Sequence, residues 1–356
     1  MSAARVLALP LVGAYTRRWP PHSRLFFVGE GVRWSIDHDM SELASLVAQL
    51  GIRVAPRWLL AASPGQAVFY GSQFTLLCEP WTQPPHRIAT AYFHGRPGTP
   101  GHPEFDECFR LLARHHEKIA RVQVTHDEMH ELVLSSGIAE DKVFRIRIAV
   151  DLAKFRPATD ERRASVRAKL DLPQTAFVVG SFQKDGVGWA DGTEPKTIKG
   201  PDVLVAALRA AKNRIPDLYV LLSGPARGYV RRELERLGIP HRHVLAGRYE
   251  ELSGLYGALD AYVVPARQEG GPKGVLEAMA CGVPVISTRV GQASEIIRDG
   301  VNGRLVAVED SDALADALTD PRLHDYRAPG RETAEANSYD MQLPLWREFF
   351  DGFVEA

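Results

Sequence analysis

Two glutamates, Glu269 and Glu277, stand eight positions apart around a glycine-rich turn in the run PARQEGGPKGVLEAMACGVPVIS, residues 265–287. A carboxylate accepts hydrogen bonds from two hydroxyls at once, which suits a vicinal diol such as that of a ribose. Between the glutamates, Gly270 and Gly271 leave backbone amides bare, and Pro272 stands where the first turn of a helix would start. Amides at a helix start attract anions, phosphate among them. A phosphate loop flanked by two carboxylates fits a ligand with a sugar on each side of a diphosphate. Each glutamate alone reads as an exposed loop residue or a helix-dipole partner. The double glycine, the proline and the preceding strand favour the ligand reading.

Other candidates are scattered. Lys199-Gly200 precedes the helical run PDVLVAALRAA, and Lys184 follows the strand-like GSF. His94-Gly95 follows a strand-like stretch in ATAYFHGRPG; a loop histidine is more often plain polar surface, but the strand-end position favours function. His126 and Asp127 follow another strand, where Asp127 reads best as a helix cap. Tyr256 reads as packing between domains.

The elements that position these residues follow from the whole chain. A length of 356 residues suggests two domains. With 45% apolar and 24% charged residues the chain has enough material for full cores, which excludes disorder and coiled coil as the main architecture. A net charge of −1 argues against a nucleic-acid partner. Residues 1–170 nevertheless carry 22 Lys and Arg against 17 Asp and Glu, a surplus that suits anionic ligands or simply an uneven surface. Three cysteines exclude a disulfide framework. The apolar run Val6–Tyr15 mimics a signal peptide, but Pro10 interrupts it and Arg17-Arg18 close it. A first strand or an extended entry segment, and a cytoplasmic protein, are expected.

Short apolar runs alternate with helical patterns, the signature of parallel sheets with helices on both faces. Strands are expected at Leu25–Val28, Ala67–Tyr70, Arg87–Phe93, Arg121–Thr125 and Val143–Ile148. In the second half they fall at Phe177–Phe182, Leu218–Ser223, His243–Ala246, Ala261–Pro265, Val283–Ser287 and Gly303–Val306. The joint is placed in the charged stretch Arg156–Pro173. The expected domains are 1–168, 169–335 and a tail helix 336–356 returning to the first domain. Trp346, Phe349, Phe350 and Phe353 recur in that tail at helical spacing. Two such domains would face a cleft, and ligands bind outside the carboxyl ends of parallel strands.

At this point the sequence resembles the retaining glycosyltransferases of family 4, which have the GT-B fold of two Rossmann-like domains. The likeness rests on Glu269-GGPKGVL-Glu277-AMACGVPVIS, its continuation through GQASEII and DGVNGRLV, Lys199-Gly200, and VTHDEMHELVLSSGIAEDKV. It covers roughly residues 85–350. The resemblance implies a nucleoside diphosphate sugar as donor, transferred with retention to an alcohol acceptor such as a glycan, lipid or secondary metabolite, without a cofactor or metal. It implies an N-terminal acceptor domain and a C-terminal donor domain. It puts Glu277 on the ribose and Glu269 by the transferred sugar. The backbone from Gly270 and Gly271 through Lys273 to Gly274 would line the sugar and diphosphate, and Lys199 would neutralise the leaving group. Backbone near Leu245 and Gly247 would read the base, and His94 would face the transferred sugar.

There are departures. The arginine usual after the first strand of the second domain is missing, and Lys184 is the nearest cation. The loop Asp185–Thr197 is long enough for a lid. Gly29-Glu30-Gly31 replaces a double glycine, and Ile146-Arg147-Ile148-Ala149 replaces the common IPNG. Two other readings are a GT-B nucleotide-sugar epimerase and a catalytically silent nucleotide-sugar-binding subunit. A role in cell-envelope or polysaccharide synthesis, at the inner face of a membrane, fits relatives with lipid acceptors. It would give the helix near Phe105–Arg121 a bilayer contact, although an ordinary surface helix is the simpler reading.

Overall fold

A computed structural model describes residues 24–31, 35–62, 65–77 and 86–354. The apolar run Val6–Tyr15 lies outside the described residues. Contacts divide the chain into two units. One holds the residues up to Ile146 together with those from Gln342, and the other is Arg147–Met341.

The first unit is a six-stranded parallel sheet of β1 (Arg24–Val28), β2 (Arg53–Ala55), β3 (Ala67–Tyr70), β4 (Arg87–Tyr92), β5 (Ile119–Val124) and β6 (Val143–Arg145). Their spatial order is β2-β1-β3-β4-β5-β6. The strands are near-continuous apolar runs because a parallel sheet is covered on both faces. On one face Phe26, Val68, Tyr92 and Val122 pack with Cys108 and Leu112 of the helix Pro103–His115, while Phe105 of the same helix packs on Phe74. That helix therefore spends its apolar stripe in the core, which removes the basis for a bilayer contact there. On the other face, Phe69 meets Trp346, Phe349 and Phe350 of the tail helix Tyr339–Phe350 edge-on, with ring centres 5.6–6.2 Å apart. Phe144 adds an edge contact to Phe349 at 5.1 Å.

The second unit repeats the plan with β7 (Phe177–Phe182), β8 (Leu218–Ser223), β9 (His241–Val244), β10 (Ala261–Val264), β11 (Val285–Thr288) and β12 (Arg304–Val306). All run parallel in the order β12-β11-β10-β7-β8-β9. The winding direction reverses between β7 and β10. The loops leaving those two strands therefore diverge and open a crevice at their carboxyl ends, the position where open parallel sheets bind ligands.

The segment 147–168, read from the sequence as part of the first domain, makes its contacts in the second unit. Its helix, Asp160–Lys169, is capped by Thr159. Arg163 and Arg167 reach Asp260 at 2.7 and 2.6 Å. Burial lowers the Arg167 pKa, opposed by the Asp260 charge.

Candidate functional site

The crevice of the second unit is assembled from four segments, each tied to the next by backbone. The glycine turn after β10 leads into a helix, Lys273–Ala280. Pro272 caps that helix instead of sitting in its first turn, since its ψ of 97° is extended. The turn rests on the segment after β11. Gln292 N–H donates to Gly270 O at 2.8 Å, and Gly291 permits that approach, because a Cβ there would stand 2.2 Å from Gly270 O. Gln292 also holds Ile148, whose N–H donates to Gln292 Oε1 at 2.8 Å. Ile148 in turn packs where any side chain at Gly271 would go. Ile146–Ala149 is thus bound to the glycine turn even though its sequence departs from IPNG. Gln292 and Ile148 were missed as site residues because nothing in their spacing links 148 to 292.

Lys199 arrives on a single 3-10 turn, Thr197–Lys199, followed by Gly200 at φ 64° and the helix Pro201–Lys212. A Cβ at Gly200 would lie 2.0 Å from Pro265 O, so only glycine lets this corner seat against the end of β10. Ile198 O accepts from the amides of Arg267 and Gln268 at 2.9 and 3.2 Å. The result brings Lys199 Nζ to 2.6 Å from Glu269 Oε1, both side chains mostly buried. Two groups 70 residues apart in sequence become one ion pair.

Lys184 stands at the end of β7. Its Nζ donates to Gly186 O at 3.2 Å and lies 4.9 Å over the Trp189 ring. Burial lowers its pKa, and the Lys199 ammonium lowers it further, so the two cations share one neighbourhood. The long loop is no free lid at its base. Asp185 and Arg227 are fully buried, with Arg227 Nε 2.9 Å from Asp185 Oδ1 in an ion pair that is charge attraction more than an aligned hydrogen bond. Arg227 also donates to Ser223 O at 2.9 Å. Lys196 N–H donates to Asp185 O at 2.7 Å and Val187 N–H to Glu194 O at 2.9 Å, closing 185–196 into a hairpin. Burial raises the Asp185 pKa, opposed by Arg227.

Glu277 is only 4% exposed. Tyr256 O–H donates to its Oε2 at 2.8 Å and Tyr249 O–H to its Oε1. Tyr256 belongs to the core of the second unit, where its ring packs with Phe182 and Tyr262. Burial, then the adjacent carboxylate, raises its pKa well above the ordinary phenol value, so it stays a donor. Lys273 Nζ lies 5.0 Å over the Tyr249 ring. A Cβ at Gly274 would meet the Tyr262 hydroxyl at 2.2 Å, which fixes how closely the helix approaches the sheet. The Gly247 amide donates to Glu251 Oε2 at 2.9 Å, tying this turn to itself.

In the first unit, His94 follows β4 with its ring against Phe74 and Phe105, each 5.7 Å between centres. Gln73 donates from Nε2 to His94 O and accepts from Phe93 N–H at 3.2 Å. His126 is the residue before the helix Asp127–Ser135, buried with Nδ1 2.9 Å from Thr125 Oγ1. Asp127 is the first helical residue and pairs with Arg145 at 2.6 Å. Among the described residues no group of three His, Cys, Asp or Glu could hold a metal ion.

Comparison with known proteins follows the same lines. The family model described as Glycosyl transferases group 1 matches residues 187–320. D-inositol 3-phosphate glycosyltransferase of Saccharomonospora viridis is 32% identical over 251 residues, which is 64% of this chain and 55% of that protein. The same enzyme of Corynebacterium urealyticum is 33% identical over 190 residues, 49% of this chain and 42% of that one. The chain spans about half the length of the curated relatives it matches. Among solved structures, Anabaena HepE in complex with UDP and glucose superposes with a TM-score of 0.74 at 17% identity, covering 93% of this chain and 99% of that one. Sucrose-phosphate synthase of Thermosynechococcus elongatus gives 0.68 at 20% identity, covering 92% and 99%. The fold is GT-B, and residues 187–320 are similar to the Glycosyl transferases group 1 family.

Proposed function

We propose that the second unit binds a nucleoside diphosphate sugar and that the protein transfers its sugar, with retention of configuration, to an alcohol acceptor. The observation that carries this reading is the Lys199–Glu269 pair, joined at 2.6 Å at the end of the strands where the sheet's winding reverses and next in sequence to the glycine turn. HepE, solved with UDP and with UDP-glucose, supports the class of donor, and the D-inositol 3-phosphate glycosyltransferases support sugar transfer.

In this reading the diphosphate lies against Lys199, Lys184 and the turn that runs from Gly270 to the amides of Lys273 and Gly274. The acceptor hydroxyl attacks the anomeric carbon from the side on which the diphosphate departs. The new C–O bond forms as the anomeric C–O bond breaks, its electron pair goes to the diphosphate, and the acceptor proton passes to a leaving phosphate oxygen. Charge grows on the leaving group, so a fixed ammonium stabilises the transition state more than the ground state. Glu269, held on Lys199, orients the sugar and is not the nucleophile. Lysines and helix amides meet the diphosphate charge, so turnover is expected to persist in EDTA. The acceptor is assigned to the first unit.

The test is a thermal-shift screen with UDP- and GDP-sugars, followed by assay of released nucleoside diphosphate. A donor at one hundred times its dissociation constant stabilises by about 2.7 kcal/mol, enough to rank candidates. Release that depends on added alcohol acceptor supports transfer. Binding without release across acceptors would leave a silent nucleotide-sugar protein instead.

A further inference from the structure

We propose that Tyr249 is a displaceable cover on the ribose carboxylate. Its hydroxyl holds the Glu277 oxygen that a nucleotide's vicinal diol would take, and binding exchanges a tyrosine hydroxyl for a sugar hydroxyl. The inference rests on the nucleotide-sugar reading of the second unit and deepens it.

Each Glu277 oxygen accepts one tyrosine bond and keeps a second lone pair, but at 4% exposure a ligand reaches neither until a covering group moves. The two tyrosines that cover Glu277 are not equivalent. Tyr256 is 1% exposed, in the helix Leu252–Gly257, with rings of Phe155, Phe182 and Tyr262 around it. Moving it would open the core. Tyr249 is half-buried and sits on a single 3-10 turn, Tyr249–Glu251. That turn is held by the exposed pair of Arg248 and Glu251. The Tyr249 ring makes an edge contact with Phe155 at 5.5 Å and lies beneath the Lys273 ammonium. Exposed ion pairs contribute little, so this turn is the cheaper one to shift.

Lys273 couples the cover to the phosphates. It is the first residue of the helix that follows the glycine turn. A diphosphate at that turn offers its ammonium full negative charge in place of a ring face, and the stronger attraction draws it off Tyr249. A ribonucleotide thus loosens the cover with its phosphates and replaces the lost hydrogen bond with its own hydroxyls. A nucleotide without the diol does only the first and leaves Glu277 to Tyr249. The cover selects for ribose at a cost in affinity.

The sign of the consequence is unusual: a substitution inside the site should tighten binding. Calorimetry on the full chain would compare wild type with Tyr249→Phe, which keeps the ring and its contacts with Phe155 and Lys273. UDP and GDP are titrated first, and the tighter binder is used with its 2′,3′-dideoxy analogue. The variant is expected to bind the ribonucleotide about three- to tenfold more tightly, a modest gain because water fills part of the vacated position. The dideoxy analogue should change less than twofold. An unchanged or weaker ribonucleotide affinity overturns the proposal, since the hydroxyl would then help the ligand or not touch its place. An equal gain for both nucleotides also overturns it, by showing that the diol is not what competes. If wild type binds neither UDP nor GDP, the nucleotide reading itself falls and takes this inference with it. That outcome is distinct from binding with the wrong response to Tyr249→Phe.

Discussion

The two units share a winding plan and differ in what stands at its reversal. In the second unit the loops after β7 and β10 carry Lys184, Lys199 and the glycine turn. In the first, the reversal lies between β1 and β3, and the described residues there are acidic and hydroxylic. Ser72 Oγ donates to Glu30 Oε1 at 3.3 Å, and Gly31 N–H donates to Asp37 Oδ1 at 3.0 Å. Among the described residues the same geometry thus presents lysines once and carboxylates once. The surplus of positive charge in residues 1–170 does not collect at this reversal among the described residues. The fold supplies a crevice, and a few side chains decide whether it favours a phosphate or a neutral, hydroxyl-donating molecule. That contrast fits a donor unit and an acceptor unit, and it can be broken at several points.

The largest effect is expected at the buried pair under the second crevice. Arg227→Met strands the Asp185 carboxylate in a dry site, which typically costs about 3–5 kcal/mol. Chemical denaturation should show that loss, and Arg227→Met with Asp185→Asn should recover part of it. A loss below about 1 kcal/mol would mean that the hairpin 185–196 is not anchored by this pair.

That pair also marks the limit of what the sequence discloses. Phe177–Phe182, Leu218–Ser223 and Ala67–Tyr70 are strands over the residues read from their apolar runs, because each run fills a two-sided strand. β2, Arg53–Ala55, escapes because it lies between Arg53 and Pro56 with no apolar run to mark it. The helix Asp160–Lys169 reads as a charged linker because its stability comes from Arg163 and Arg167 on Asp260, and no apolar stripe marks it. The glycine turn and its glutamates are legible since they are contiguous. Lys199 is legible by family resemblance alone. Gln292 on Ile148, Arg227 on Asp185 and Tyr249 on Glu277 join residues far apart in sequence, and such pairings exist only after the sheet is wound.

Second in size is Lys199→Ala. A preorganised charge on the leaving group is worth on the order of a hundredfold in turnover, with a smaller effect on donor affinity. Steady-state kinetics should show kcat falling more than KM rises. Lys184→Met should cost less, about tenfold or under, because Lys184 shares its attraction with Trp189 and Gly186. The reverse order would move the main phosphate cation to the hairpin and turn that element into the active one.

Third is Glu277→Gln, which keeps the side chain's size while removing its charge. Losing a charged acceptor typically costs about 1.5–3 kcal/mol, so UDP affinity should fall by about ten- to a hundredfold. Glu30→Gln at the first unit's reversal should leave UDP affinity within about twofold. Equal losses from the two variants would erase the distinction between a cationic donor crevice and an acidic one.

The smallest expected effect concerns His94. Its ring fills the gap between Phe74 and Phe105, so His94→Ala would confuse lost packing with lost chemistry. His94→Phe keeps an aromatic ring there and removes only the two nitrogens. A neutral hydrogen bond is worth about 0.5–1.5 kcal/mol, which caps the expected fall in turnover at roughly tenfold. Calorimetric affinity for UDP should not change if, as proposed, the second unit holds the phosphates and ribose. Loss of turnover with intact UDP binding would assign His94 to the sugar or the acceptor. Unchanged turnover would reduce it to a packing residue, and the first unit's chemistry would then rest on Glu30 and its neighbours.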